Sequence, residues 1–527
     1  MTRYAIVADL NRCVGCQTCT SACKQQNATA PGIQWRKVLD FETGEFPDVS
    51  RAFLPVGCMH CDEPPCLDVC PSTATRKRAD GIVTINYDIC IGCAYCAIAC
   101  PYQARFRVDE PANAYGGKRM RHETLREDPS RIGVAQKCTF CVERVDAGLA
   151  AGLTPGIDPD ATPACVNSCI AGALSFGDIE DSDSNVATLL RENRHFRMHE
   201  DLGTGPGIYY LYDGEIGTQT PVAPAPMVAE PAGLAEVSPR LQSSWDWRAA
   251  GNFILGGTGT GLFTATVLAG FIALPLWPAL FLALALVGAG LGCVWLEIGR
   301  PWRFLNVFRH PARSWMSREA LASLPYFAFG GLAWLLQSRA LGVIGLLFAL
   351  FFVYAQGRIL RAAKGIPAWR QKEIVPLIVV TGLTEGVGLF AFLTLFTSQI
   401  APIYGWLGPA LFLLVALRFA LWQVWQRALG AGGVPGATLR ALDNLHLGLS
   451  GLPQTVILLL ITAAMLFPPA LPLAGLLALA SGWAFKFTLI TRAAFNQGYA
   501  INRMPARGAG LSTPGIKPGW APGWAAK

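Results

Sequence analysis

The sequence predicts two unlike architectures in one chain: a cysteine-rich α+β domain, then an all-α bundle of eight membrane-spanning helices. Three observations carry this. Sixteen of the seventeen cysteines in the 527-residue chain lie between Cys13 and Cys169, while almost every long apolar run follows Trp245. Hydrophobic residues make up 52% and charged residues 15%, high and low respectively for a soluble globular chain. The cysteines keep regular spacings, and the apolar runs reach the roughly 20 residues that a bilayer requires. The expected boundaries are a cysteine domain at 1–213, a linker at 214–246, a membrane anchor at 247–500 and a tail at 501–527.

The opening, "MTRYAIVADLNRCVGC", contains no apolar core of the kind a secretory signal needs. Export on a partner's signal remains open, but a reducing compartment is the default. There, many cysteines indicate metal rather than disulfides. Cys13, Cys16, Cys19 and Cys23 read C-x2-C-x2-C-x3-C. Cys58, Cys61, Cys66 and Cys70 read C-x2-C-x4-C-x3-C before Pro71. Cys90, Cys93, Cys96 and Cys100 repeat the first spacing before Pro101, and Cys138 and Cys141 are joined by Cys165 and Cys169 across a longer insertion. The third group is the bacterial ferredoxin signature, in which three close thiolates hold one iron–sulfur cube and the fourth reaches its neighbour. Four thiolates per cube and sixteen cysteines predict a ferredoxin-like domain with four [4Fe–4S] clusters and no ligand left over. Zinc also takes paired C-x2-C units, but it needs no third cysteine at x2 and no fourth at x3 before proline. The missing export signal and the crowded C-x2-C units argue against a disulfide framework.

The stretches "CMHCDEPPCLDVCPSTA", "CIGCAYCAIACPYQAR" and "KCTFC…PACVNSC" resemble the four-cluster electron-transfer subunit of the dimethyl-sulfoxide-reductase family of molybdenum enzymes, over roughly residues 1–210. The resemblance implies that the groups cross-pair, first with fourth and second with third. Cys13, Cys16, Cys19 and Cys169 would then hold one cluster, and Cys23, Cys138, Cys141 and Cys165 a second. Cys58, Cys61, Cys66 and Cys100 would hold a third, and Cys70, Cys90, Cys93 and Cys96 the fourth. The long segment from Cys141 to Cys165 departs from the pattern and reads as a surface loop.

Between Gly214 and Trp245 the text is alanine- and proline-rich with no helical or strand period, a semi-extended linker. It tethers two modules and raises their effective concentration. Eight apolar runs follow, at about 249–273, 276–296, 317–337, 341–359, 374–398, 404–426, 445–468 and 470–490. With eight spans, the cysteine domain, every even loop and the tail share one side. That side collects Arg248, Arg300, Arg303, Arg309, Arg313, Arg318, Arg358, Arg361, Lys364, Arg370, Lys372, Arg427, Arg440 and five more in the tail, against Arg339 alone opposite. By the positive-inside rule, the cysteine domain and both termini face the cytoplasm of a bacterial inner membrane. The net charge of +7 is then a topology signal and a lipid-headgroup contact, which excludes a nucleic-acid footprint.

The loop "EIGRPWRFLNVFRHPARSWMSREA" resembles the segment between the second and third helices of the same family's membrane anchor, over roughly 245–500. In many relatives its first position is a histidine tied to quinol binding; here it is Glu297, while Glu319 matches an acidic position implicated at the quinone site. Exchange with ubiquinone or menaquinone takes two electrons and two protons. A site therefore needs proton carriers beside the ring and cationic donors for its oxygens. Glu297, His310 and Glu319 are candidate carriers, and Arg300 and Arg303 candidate donors; the competing reading has the arginines gripping lipid and the cysteine domain. "GGTGTG", Gly256 to Gly261, mimics a nucleotide loop but lies inside a span, where close helix packing is the simpler reading. Cys293 reads as a packing residue. Glu385 is mid-span, where an ionisable group is either functional or internally paired. The reading is an oxidoreductase subunit whose only reaction is with quinone. Its expected partner is a molybdenum-bis-pterin catalytic chain, with sulfite as the preferred electron source. A quinol-oxidising subunit of a sulfoxide reductase, and a membrane redox sensor, are the alternatives.

Overall fold

A computed structural model describes residues 2–45, 48–111, 118, 120–126, 128–212, 239–271, 277–396, 401–445 and 448–498. Most of the expected linker and the whole expected tail lie outside the described residues.

The cysteine domain is organised on the strand Tyr4–Asp9. Successive side chains of a strand point to opposite faces, so "YAIVAD" can serve two cores at once. Tyr4, Ile6 and Ala8 join the main domain core, while Ala5 and Val7 join Val186, Tyr209 and Leu211. The strand is central in a four-stranded sheet, antiparallel to Leu174–Asp178 and parallel to Ile208–Leu211, with His195–Phe196 at the edge. Its outer face is covered by the helix Asn185–Glu192, started by Ser184, whose hydroxyl accepts from the Ala187 N–H at 3.1 Å. Pairing residues 6–9 with 208–211 stitches the two ends of the domain together. A long hairpin, Arg36–Glu45 with Asp48–Gly57, packs beneath the sheet.

Seven helices are long and apolar enough to cross a membrane: Trp247–Gly270, Pro278–Glu297, Trp315–Leu336, Arg339–Ala362, Ile374–Phe396, Gly405–Ala431 and Ala470–Thr491. The expected long span at 445–468 is corrected to a shorter helix, Gly451–Ala463, of 13 residues. That is about 20 Å of helix against a hydrocarbon core of about 30 Å. Gly448, Ser450 and Gly451 break the helical pattern before it, and Pro468 and Pro469 close it off after. It still makes a pass. The Gln242 N–H donates to the Ala494 carbonyl at 3.0 Å and the Asn496 N–H to the Arg240 carbonyl at 2.9 Å, so the chain enters and leaves the bundle on one side. Only an even number of crossings permits that.

The first, fifth and last long helices form the buried centre of the bundle, and the others mostly face outward. At "GGTGTG" the first helix meets the fifth backbone to backbone: a Cβ at Gly261 would strike the Gly382 carbonyl, and one at Gly386 would strike Gly261. Glu385 of the fifth helix is internally paired, with Lys486 Nζ at 2.7 Å and Thr258 Oγ1 at 3.0 Å. No packing boundary separates the two halves. One buried core contains Cys66, Cys70, Cys90 and Cys96 together with Trp245, Trp369, Trp425 and Phe485.

Candidate functional site

The first Cys-x2-Cys turn of each of the four cysteine groups uses one backbone device. The residue before the second cysteine is left-handed in each: Gly15, His60, Gly92 and Phe140, with φ of 68°, 43°, 72° and 53°. Only two are glycine, and a left-handed non-glycine residue is uncommon and persists where its surroundings demand it. His60 and Phe140 stack on each other with ring centroids 3.6 Å apart. The His60 ring also bridges backbone groups: Nδ1 accepts the Val83 N–H at 3.0 Å and Nε2 lies 3.1 Å from the Cys138 carbonyl. Burial first, then the Lys137 ammonium, holds its pKa well below the usual 6.5, so the ring is neutral.

None of the cysteines is in a disulfide. Their mutual electrostatics sort them across the sequence groups. Burial raises the Cys13 thiol, and Cys169 and Cys16 add to the rise. Burial raises Cys19 to about 11 against the pull of Arg36, with Cys165, Cys13 and Cys169 contributing. Cys23 is raised by burial and then by Cys138, Cys165 and Cys141. Cys61 is raised by burial and by Cys58, Cys66 and Cys100, and burial with Cys66 lifts Cys100 to about 12. Cys93 is raised by burial and by Cys96, Cys70 and Cys90. These thiols are therefore affected by thiols from other sequence groups as well as their own. The donor set fits iron–sulfur cubes, each held by four thiolates, three from one run of the chain and the fourth from another. Arg36 gives an independent sign of the same fit. It is 1% exposed, and its three guanidinium nitrogens have no hydrogen-bond partner among the described residues, which suits a site built for an anionic group.

The loop "EIGRPWRF" is the seam between the halves. The Gly299 N–H donates to the Gly92 carbonyl at 3.2 Å and the Arg300 N–H to the Ile91 carbonyl at 3.1 Å. Arg300 Nε reaches the Ile132 carbonyl at 2.9 Å, Arg303 reaches the Cys90 carbonyl at 3.3 Å, and His310 Nδ1 lies 2.8 Å from the Cys70 carbonyl. These three residues thus bind the cysteine domain's backbone. Glu297 and Glu319 are placed differently: both line a narrow cavity with Cys93, Trp245, Asn252, Phe253 and Met316. Glu319 is buried and accepts from Asn252 Nδ2 at 3.2 Å. Glu297 Oε1 is buried without a hydrogen-bond partner among the described residues. The indole N–H of Trp245 donates to the Cys93 carbonyl at 3.1 Å, closing the cavity onto the third cysteine group of the sequence. This arrangement sets carboxyl groups able to exchange protons against a thiol of the cysteine domain.

Sequence reasoning passed over Asn252, Trp245, Arg36, Arg105 and Lys137. Asn252 left a signal, a lone amide in an apolar run; Arg36 left none, because its burial depends on the hairpin's register with Gly57.

Comparisons with known proteins divide along the same line. A family model described as "4Fe-4S dicluster domain" matches residues 49–116, and one described as "DMSO reductase anchor subunit (DmsC)" matches residues 271–430. The chain is similar to a selenate reductase subunit of Mesobacillus selenatarsenatis, 41% identical over 225 residues, covering 40% of this chain and 72% of the relative. It is similar to a putative dimethyl sulfoxide reductase iron-sulfur subunit of Halobacterium salinarum, 40% identical, covering 42% of this chain and 83% of the relative. It is also similar to a sulfite dehydrogenase subunit of Allochromatium vinosum, 37% identical, covering 40% of this chain and 83% of the relative.

Proposed function

The chain belongs to the family of iron–sulfur subunits of dimethyl-sulfoxide-reductase-type molybdenum enzymes, continued into that family's membrane anchor, and from this premise we propose that it relays electrons between a catalytic subunit and quinone. It is a multi-pass membrane protein that carries iron–sulfur clusters and works with a molybdoenzyme catalytic chain.

The finer assignment is four [4Fe–4S] clusters. Cys13, Cys16, Cys19 and Cys169 hold the first, and Cys23, Cys138, Cys141 and Cys165 the second. Cys58, Cys61, Cys66 and Cys100 hold the third, and Cys70, Cys90, Cys93 and Cys96 the fourth. When bound, each cube accepts and releases one electron. The thiol neighbourhoods support this order, since Cys19 is affected by Cys165, Cys138 by Cys58 and Cys66 by Cys96. At the outer end Cys16 is exposed, and Val14 and Ile170, each next in the chain to a ligand cysteine of the first cluster, are 60% and 74% exposed, apolar side chains suited to the catalytic subunit. At the inner end lies the cavity of Cys93, Glu297 and Glu319, and that cavity carries the quinone reading. Glu319, oriented by Asn252, and Glu297 hold and move protons at their carboxyl oxygens. Arg300, Arg303 and His310 lock the domain over the cavity.

The basic loops favour a cytoplasmic iron–sulfur domain. A cytoplasmic catalytic partner that oxidises sulfite and passes two electrons to quinone suits that side, and one relative bears the name sulfite dehydrogenase. Relatives named selenate and dimethyl sulfoxide reductase favour the reverse direction as the second reading. The test is to purify the complex and measure sulfite-dependent quinone reduction beside quinol-driven sulfoxide reduction. Sulfite activity supports the first reading. Sulfoxide reduction alone rejects it.

A further inference from the structure

The cysteine domain buries three cations: Arg36, Arg105 and Lys137 are 1%, 6% and 0% exposed. Among the described residues none of the three has a carboxylate within ion-pair distance; cysteine sulfurs, which are anionic only when deprotonated or bound to metal, are the acidic groups that affect them most. Burying an unanswered charge costs several kcal/mol, so a fold keeps it only where an anion is to be met. The positions of the three are ordered. Arg36 is affected by Cys165 and Cys138 of the second quartet and by Cys19 of the first, and its three guanidinium nitrogens are buried without a hydrogen-bond partner among the described residues. Lys137 precedes Cys138 of the second quartet, its ammonium donates to the Cys138 carbonyl at 2.7 Å and to the Val83 carbonyl, and it is affected by Cys58 and Cys66 of the third. Arg105 donates from Nη2 to Cys66 Sγ of the third quartet at 2.9 Å, and its charge pulls down the Cys96 thiol of the fourth. Its other arm is fixed by Thr75 Oγ1 at 3.0 Å. His60, next to Cys61 of the third quartet and against the Cys138 carbonyl of the second, uses both ring nitrogens on backbone groups, so it adds no fourth charge.

We propose that Arg36, Lys137 and Arg105 are fixed positive charges, one in each gap of the four-cluster row, and that each raises the reduction potential of the two clusters it faces. The inference rests on the four-cluster reading above. An electron arriving at a buried cluster adds negative charge where water cannot screen it. A guanidinium or ammonium held against the ligand sulfurs offsets that charge. Because the effect falls with distance, each cation acts on its two neighbours and leaves the far clusters unchanged. Sharing one cation between adjacent clusters lifts both together, which keeps neighbouring potentials close enough for exchange in either direction.

The experiment uses the whole complex in solubilised membranes: iron content, then redox titration of each cluster followed by electron paramagnetic resonance. Fewer than four clusters in the unaltered complex defeats the four-cluster reading before any variant is made. With four present, Arg36→Gln should make its two flanking clusters at least tenfold harder to reduce, about 59 mV lower for one electron, and leave the other two unmoved. Arg105→Gln should do the same to the third and fourth clusters. Unchanged potentials in both variants, with four clusters intact, overturn the proposal. If the glutamine variants lose their clusters, Arg105→Lys decides, since it keeps the charge and gives up the guanidinium's bond to Cys66. Near-native potentials there support a charge effect, and a tenfold drop overturns it in favour of hydrogen bonding alone.

Discussion

Glu319 and Glu297 stand on either side of one cavity, yet their surroundings differ. Glu319 is held by Asn252 on the first membrane helix, while Glu297 Oε1 has no hydrogen-bond partner among the described residues. A carboxyl held in place by an amide is suited to orient and donate; one with a free oxygen is suited to exchange protons with water. Positioned proton transfer contributes about 10²–10⁴-fold to a rate. Glu319→Gln keeps the shape and removes the proton, so cluster reoxidation by quinone should slow at least about tenfold while the cluster spectra stay unchanged. An unaltered rate in this variant removes Glu319 from the proton path. Arg303 illustrates the opposite outcome at this scale: its place in a basic loop suggested a donor to quinone, but its guanidinium is used on the Tyr87 and Cys90 carbonyls.

Two contacts between elements decide whether the halves work together. Gly299 meets Gly133 and Gly92 backbone to backbone, and any Cβ at Gly299 would strike the Gly133 carbonyl. Gly299→Val should therefore separate the seam, with a cost of about 1–3 kcal/mol for overpacking. The readout is a slower cluster-to-quinone rate at full iron content; a normal rate shows that the seam does not govern transfer. Within the bundle, Lys486 and Glu385 join the last helix to the fifth at 2.7 Å, both fully buried. Removing one partner leaves an uncompensated charge, a loss of about 3–5 kcal/mol, whereas replacing both can be nearly neutral. Thermal denaturation should show Glu385→Gln and Lys486→Met each strongly destabilised and the double variant largely recovered. A double variant no better than the singles means the pair has a role beyond charge balance.

Across the whole molecule, the cysteine domain sits on the side where the helices begin and end. That arrangement joins Cys66, Cys70, Cys90, Cys96, Trp245, Trp369 and residues of the membrane cavity in one continuous core. The side of the membrane that the basic loops favour can be tested directly. A fluorescent protein at the C-terminus should fluoresce in the cytoplasm, and a phosphatase joined after Ser338 should be active outside. The reverse pattern would invert the positive-inside reading and move the catalytic partner across the membrane.

The sequence by itself determined what local spacing and hydropathy encode. Cysteine spacing marked a thiolate-rich domain, because ligands in C-x2-C turns are close along the chain. Apolar length marked the long helices, because a bilayer sets a minimum span. Hydropathy overstated Gly451–Ala463, since apolar residues continue past the point where backbone geometry stops the helix. Long-range contacts were settled by the tertiary structure alone. Only packing brings Cys169 beside Cys13, buries Arg36 between Cys19 and Cys165, and sets Glu297 and Glu319 in one cavity while turning Arg300 and His310 toward backbone carbonyls. The physical reason is that a residue's charge and type are properties of the chain, whereas its burial and the groups it meets depend on segments far away in sequence.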